Sequence, residues 1–148
     1  MHYHYFSKYI ASIYRKTKSN INHQLDSMNL RATQSDLLMF IHENPNLQQS
    51  AIAKQMSVDP SLLAKDLTVL ASQNLVVRET STTDRRAKTI SLTPSGERMA
   101  EQLTDIMDKE WHDLFAAMPH FDAERFADDL HATYQALLGP DKRHNRNQ

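Results

Sequence analysis

The chain has 148 residues, 40% hydrophobic and 24% charged, proportions that fit one globular domain, or one whose ends complete a partner's core. With no cysteine, disulfides, thiolate zinc sites and thiol redox switches are excluded. Its net charge is -1, no apolar run approaches the roughly 18 residues of a membrane span, and the N-terminus MHYHYFSKYI lacks a signal peptide's apolar core, so a cytoplasmic protein is expected.

Phe6, Ile10, Ile13, Ile21 and Leu25 recur at spacings compatible with one face of a long first helix. That stripe is too long for so small a domain to cover by itself. Thr33-Gln-Ser-Asp36 has the form of a helix N-cap with an acid three residues on, and the helix it opens runs through Leu37, Leu38, Phe40 and Ile41 to Pro45. Asn46-Leu-Gln-Gln49 repeats the device before Ile52, Ala53 and Met56. Asp59-Pro60 is an N-cap with proline at the first helical position, and Leu63, Leu67 and Leu70 follow on one face. Two helices so closely spaced form a helix-turn-helix.

Asn74, tolerant of the left-handed conformation, ends that helix. Leu75–Glu79 and Thr89–Thr93 read as two strands of a hairpin with a polar tip of about ten residues between them. Thr93-Pro94 starts a long helix with the stripe Met99, Leu103, Ile106, Met107, Trp111, Leu114, Phe115 and Met118, which Pro119 breaks. Asp122 caps a last helix through Phe126, Leu130, Tyr134 and Leu137, ended by Gly139-Pro140 and followed by a loose tail, 140–148. The fold class is mainly α with a small β-hairpin wing, a winged helix-turn-helix between terminal helices.

Charge is divided along the chain: residues 1–34 carry +4, 35–53 carry -2, 54–98 carry +2, 99–139 carry -7 and the tail +2. The acidic third quarter would keep clear of nucleic acid and leave the basic segments to face it. On the helix from Asp59 the buried leucines turn Ser61, Leu62, Lys65 and Thr68 outward. A recognition helix meets the major groove with its N-terminal residues, where Lys65 can donate to guanine or phosphate, Ser61 to phosphate or base, and Leu62 can touch a thymine methyl. A Leu62 packed within the monomer beside a merely solvated Lys65 is the competing reading. Arg85 and Arg86 at the hairpin tip can enter an A·T-rich minor groove. Asp84 there fits if it pairs with Arg86 and aims the guanidinium, one arginine probing the groove and the other contacting the backbone.

DRRAKTISLTPSGE resembles the wing and following helix of the MarR family of bacterial transcription regulators, and LRATQSDLLMFIHENPNLQQSAIAKQMSVDPSLLAKDLTVLASQNLVVRE is similar to the rest of that family's winged helix. The SlyA-like branch is the nearest. The resemblance implies one MarR-like domain over 1–148, with dimerisation helices at 1–30 and 119–139, a DNA-binding region at 31–98, a connecting helix at 94–118 and a flexible tail at 140–148. Phe6, Ile10, Ile13, Phe126, Leu130, Tyr134 and Leu137 would then meet a second copy. It further implies DNA contacts from Lys65, Asp84, Arg85, Arg86 and Lys88, from Gln34 and Ser35 at the second helix, and from Gln48 and Gln49 before the recognition helix. Leu62 and Ala64 stand where many members have threonine, and Asn74 replaces the commoner glycine, so base preferences do not transfer.

The same resemblance implies a small aromatic or anionic effector between the dimer helices and the winged helix, for which Tyr9, Tyr14, Phe40 and Trp111 are available. The chain has no H-x-x-x-H or H-x-x-E-H spacing, G-x-S-x-G or Walker loop, so no enzyme, metal or cofactor is expected. The expected partners are a duplex operator and a second copy, with no membrane. The alternatives are a winged helix whose arginines meet an acidic protein, and a DNA-binding protein without a ligand.

Overall fold

The computed structural model describes residues 2–80, 82–84 and 86–139. The expectations for Arg85 and for the tail lie outside the described residues. The elements follow in the order α1 (His4–Ser27), α2 (Ala32–Glu43), β1 (Leu47–Gln48), α3 (Gln49–Met56), α4 (Pro60–Ser72), β2 (Val76–Thr80), β3 (Lys88–Leu92), α5 (Pro94–Ala116) and α6 (Ala123–Leu138). They divide between two compact units, residues 1–112 and 113–148. No helix among the described residues is long and apolar enough to cross a membrane.

The core of the first unit gathers Ile21 and Leu25 of α1, Leu37, Leu38 and Ile41 of α2, Ile52 of α3, Leu63, Leu67 and Leu70 of α4, Ile90 of β3 and Leu103 of α5, all nearly or fully buried. Each such side chain contributes about 1.5–3 kcal/mol relative to exposure. The C-terminal half of α1 joins this core while Tyr3, Tyr5, Phe6, Tyr9, Ile10, Ile13 and Tyr14 stay exposed. Lys18, buried on α1, is tied to Asp36 of α2 by an ion pair that Tyr14 extends by donating to the same carboxylate.

Two helix starts differ from the sequence reading. The N-cap of α2 is Arg31, whose backbone N–H donates to the Gln34 side chain at 3.1 Å. The device expected at Thr33–Asp36 is therefore set two residues earlier, with Gln34 as the reaching side chain. Asn46 is no N-cap but a turn residue at φ 63°, after which Leu47 and Gln48 pair with Ile90 and Thr89. The wing thus belongs to a three-stranded antiparallel sheet, ordered β1-β3-β2, rather than to a bare hairpin. A two-residue strand is too short to leave an alternating pattern.

The base of the wing is held by backbone geometry. Asn74 takes the left-handed conformation at φ 57°. Buried Thr93 donates its hydroxyl to Asn74 O at 2.7 Å and accepts the N–H of Gly96 at 3.0 Å, capping α5 and closing the wing at once. A Cβ at Gly96 would stand 2.0 Å from the Leu75 carbonyl oxygen, so only glycine fits there.

In the second unit, Asp122 accepts the N–H of Arg125 and caps α6. Phe115, Phe121 and Phe126 form a ring cluster with centroids 5.0–6.3 Å apart. Phe126, expected at a partner's surface, thus has its ring engaged within its own chain. Leu130, Tyr134 and Leu137 remain exposed.

Candidate nucleic-acid interface

The turn between α3 and α4 runs through Ser57 in the left-handed conformation, φ 54°. Asp59 then takes extended backbone and accepts the N–H groups of Ser61 and Leu62 at 2.8 and 3.2 Å. With Pro60 contributing no N–H, little of the first turn's donor capacity is left over. Leu63, Leu67 and Leu70 anchor α4 inward, and Ser61, Leu62, Lys65, Thr68 and Val69 face outward. Leu62 is 60% exposed, which decides against its packing within the monomer.

Two concavities flank this outer face. One, of about 1140 Å³, lies between α4 and the α1–α2 junction, lined by Leu62, Lys65, Thr68 and Val69 on one side and Arg31 and Thr33 on the other. The second, of about 460 Å³, joins the wing to the helix-turn-helix: Arg78, Arg86 and Lys88 share it with Gln49, Ser50 and Pro60. Lys65, Arg86 and Lys88 are exposed, so the expected cations of helix and wing line grooves on either flank of α4.

At the wing tip Asp84 is bonded to the main chain. Asp84 Oδ1 accepts the backbone N–H of Arg86 at 2.9 Å, and its carbonyl accepts the N–H of Ala87 at 3.1 Å. These bonds to the main chain set the turn from which the Arg86 side chain leaves. An Asp side chain closing its own backbone two residues on is a common turn device.

Other expected contacts have been drawn into the fold. Gln34 and Ser35 are buried. Gln34 receives Arg31 N–H and donates to Asp66 at 3.2 Å, and Ser35 donates to Ala32 O at 2.7 Å. Both side chains take part in starting α2, and Gln34 also lines the larger concavity. Thr68, although exposed, donates to Ala64 O at 2.9 Å and accepts from Arg78 at 3.0 Å. Gln48 lies in β1 as the exposed N-cap of α3, and Gln49 is its first residue.

Two basic residues were missed. Arg31, hidden in the sequence by its place between two apolar stretches, lines the larger groove opposite Lys65. Arg78 follows Val76 with strand alternation, which puts it on the core side of β2. That charged residue at an apolar position was the available signal.

The four aromatics named for an effector are spread over α1, α2 and α5. Tyr9 and Tyr14 are exposed, Phe40 and Trp111 half-buried, and none lines either concavity. Partial covering of the Tyr14 phenol, whose side chain is otherwise exposed, raises it above its ordinary value, with the hydrogen bond to Asp36 and that carboxylate's charge adding to the effect.

Residues 30–88 match the family model of the MarR family. A proposed transcriptional regulatory protein for the hcr operon of Thauera aromatica is 37% identical over 89 residues, 60% of this chain and 52% of that protein. The chain thus spans about half the length of this curated relative. The crystal structure of a MarR transcriptional regulator from Methanosarcina mazei Go1 superposes with a TM-score of 0.80 at 20% identity, covering 91% of this chain and 97% of that one. MepR of S. aureus, in its DNA complex, superposes with a TM-score of 0.72 at 23% identity over 90% and 96% of the two chains. Residues 30–88 carry the sequence pattern of a MarR-family winged helix, and the chain has the fold of MarR regulators.

Proposed function

We propose that the chain is a homodimeric transcription regulator of the MarR family, nearest its SlyA-like branch, acting in the cytoplasm as a repressor on a pseudo-palindromic operator. Residues 59–73 enter the major groove and the wing, 80–89, the flanking minor groove. Half-site centres lie about 10 base pairs apart, one helical turn. The observation that carries this reading is the outer face of α4, where Leu62, 60% exposed, stands with Ser61 and Lys65 at the helix N-terminus. An apolar side chain and a cation together on an open N-terminal turn suit a thymine methyl and a guanine edge or phosphate.

Ser61, Leu62 and Lys65 read bases or their adjoining phosphates; Arg86, Lys88 and Arg31 supply backbone or minor-groove contacts, with Gln48 and Gln49 at the start of α3. Arg85 belongs to the same wing by sequence. The second copy covers the open apolar face of α1 and the exposed Leu130, Tyr134 and Leu137 of α6, because exposed apolar surface of this extent marks an interaction surface. A small aromatic or anionic effector releases the operator, with Tyr9 and Tyr14 of α1 as its first candidates.

Selection of genomic fragments with the purified chain tests the proposal. Enrichment of a two-fold-related sequence is expected, with log affinity falling linearly against log salt. Failure to enrich any duplex would favour the protein-binding alternative, in which the wing arginines meet an acidic partner.

A further inference from the structure

Arg78 sits where strand geometry calls for an apolar residue. It pairs across the sheet with Ile90, which in turn pairs with Leu47 on the other side. Side chains directly opposite in neighbouring strands share a face, and Ile90 is fully buried in the core. Arg78 therefore enters the layer between the sheet and α4. Its Nη2 donates to the carbonyl of Ala64 at 2.9 Å and to the hydroxyl of Thr68 at 3.0 Å. That hydroxyl also donates to Ala64 O, so one mid-helix carbonyl collects donors from the wing strand and from its own helix. Its Nε is buried without a partner among the described residues, a cost that an apolar residue at this position would not incur.

Ala64 directly precedes Lys65, and Arg78 shares the smaller concavity with Arg86 and Lys88. We propose that Arg78 is the positioning residue of this interface, fixing the turn of α4 that presents Lys65 against the strand that leads to Arg86. Recognition helix and wing then meet a duplex as one rigid unit, with cations at a set spacing. A planar guanidinium fork suits this use, since one terminal nitrogen reaches two acceptors in fixed directions. The inference rests on the DNA-binding reading above.

The test compares the duplex that the wild-type chain enriches from random-sequence DNA with a scrambled duplex of equal length. Arg78→Met, checked for folding by circular dichroism, should lose about tenfold or more on the selected duplex. Binding to the scrambled duplex should change less than about twofold, and the slope of log affinity against log salt should stay the same, because no phosphate contact is removed. A merely structural residue would weaken both duplexes alike through the folded fraction. A direct phosphate contact would reduce the slope by about 0.9. Either result, or no change, overturns the proposal. Should Arg78→Met fail to fold, Thr68→Val removes one of the two acceptors at an exposed site. It should lower the selected-to-scrambled ratio about threefold, the scale of one hydrogen bond, and an unchanged ratio overturns the proposal. A wild-type chain that enriches no duplex removes the DNA-binding reading and this inference together, whereas normal wild-type binding with indifferent variants removes this inference alone.

Discussion

The carboxylate of Asp84 holds the backbone amide of Arg86 at 2.9 Å, so an acid at the tip of the wing shapes the turn from which the neighbouring cation departs. Charge and hydrogen-bond acceptance can be separated at this position. Asp84→Asn keeps an acceptor and removes a charge that repels phosphate, so it should bind duplex as tightly as the wild type or more tightly. Asp84→Ala loses the acceptor and should bind more weakly than Asp84→Asn at the same salt. Fluorescence anisotropy at two salt concentrations checks both, and equal weakening of the two variants would mean that the carboxylate's charge is what counts.

Asp59 caps α4 with two accepted N–H bonds. Asp59→Ala should destabilise the chain by about 0.5–2 kcal/mol, as measured by urea unfolding. Asp59→Ser, which restores a capping oxygen, should recover most of that loss.

The phenol of Tyr14 titrates above its ordinary 10.0 because partial covering, then the hydrogen bond from its hydroxyl to Asp36, then that carboxylate's charge oppose its ionisation. Above pH 10 the unfolded chain releases this proton while the folded chain keeps it. The unfolded state then binds fewer protons, and stability falls as pH rises. Tyr14→Phe should show a shallower alkaline decline than the wild type between pH 10 and 12 in urea unfolding. Identical declines would show that Tyr14 does not contribute.

Phe6 and Ile10 are half-exposed on the open half of α1. If a second copy covers them, the Phe6→Glu/Ile10→Glu variant should be a folded monomer by light scattering where the wild type is a dimer. Neither side chain belongs to the buried core of its own chain, so circular dichroism should be little changed. A variant that stays dimeric would place the dimer surface elsewhere.

Most of this architecture was legible because its signals are local. Asp59-Pro60, Thr93-Pro94 and Asp122 announce helix starts by chemistry acting within three residues, and Asn74 marks an end by tolerating positive φ. Gly96 in the wing motif has a plain reason in the close approach of Leu75 O. The outer face of α4 followed from the leucine spacing alone. What sequence could not give were contacts across the fold. Gln34 and Ser35 look like free polar groups until their burial and partners are known. The bond from the Asp84 carboxylate to the Arg86 backbone depends on the local turn, which residue type alone does not fix. β1 needed knowledge of β3 to be seen at all, and Arg78 reveals its role only through a carbonyl 14 residues away.

In the proposed function the outer face of α4 and the wing bind duplex DNA together. The most direct measurement is the affinity of wild type, Lys65→Ala and Arg86→Ala for a fragment selected by the wild type, taken across a salt series. Arg86→Ala should cost about 1–3 kcal/mol with folding intact, and Lys65→Ala should either relax specificity or reduce the salt slope by about one, according to whether it reads a base or a phosphate. Wild-type affinity should fall by about 0.9 log units per log unit of salt for each phosphate contact. Absence of duplex binding by the folded wild-type chain, or normal binding by both variants, would contradict the account.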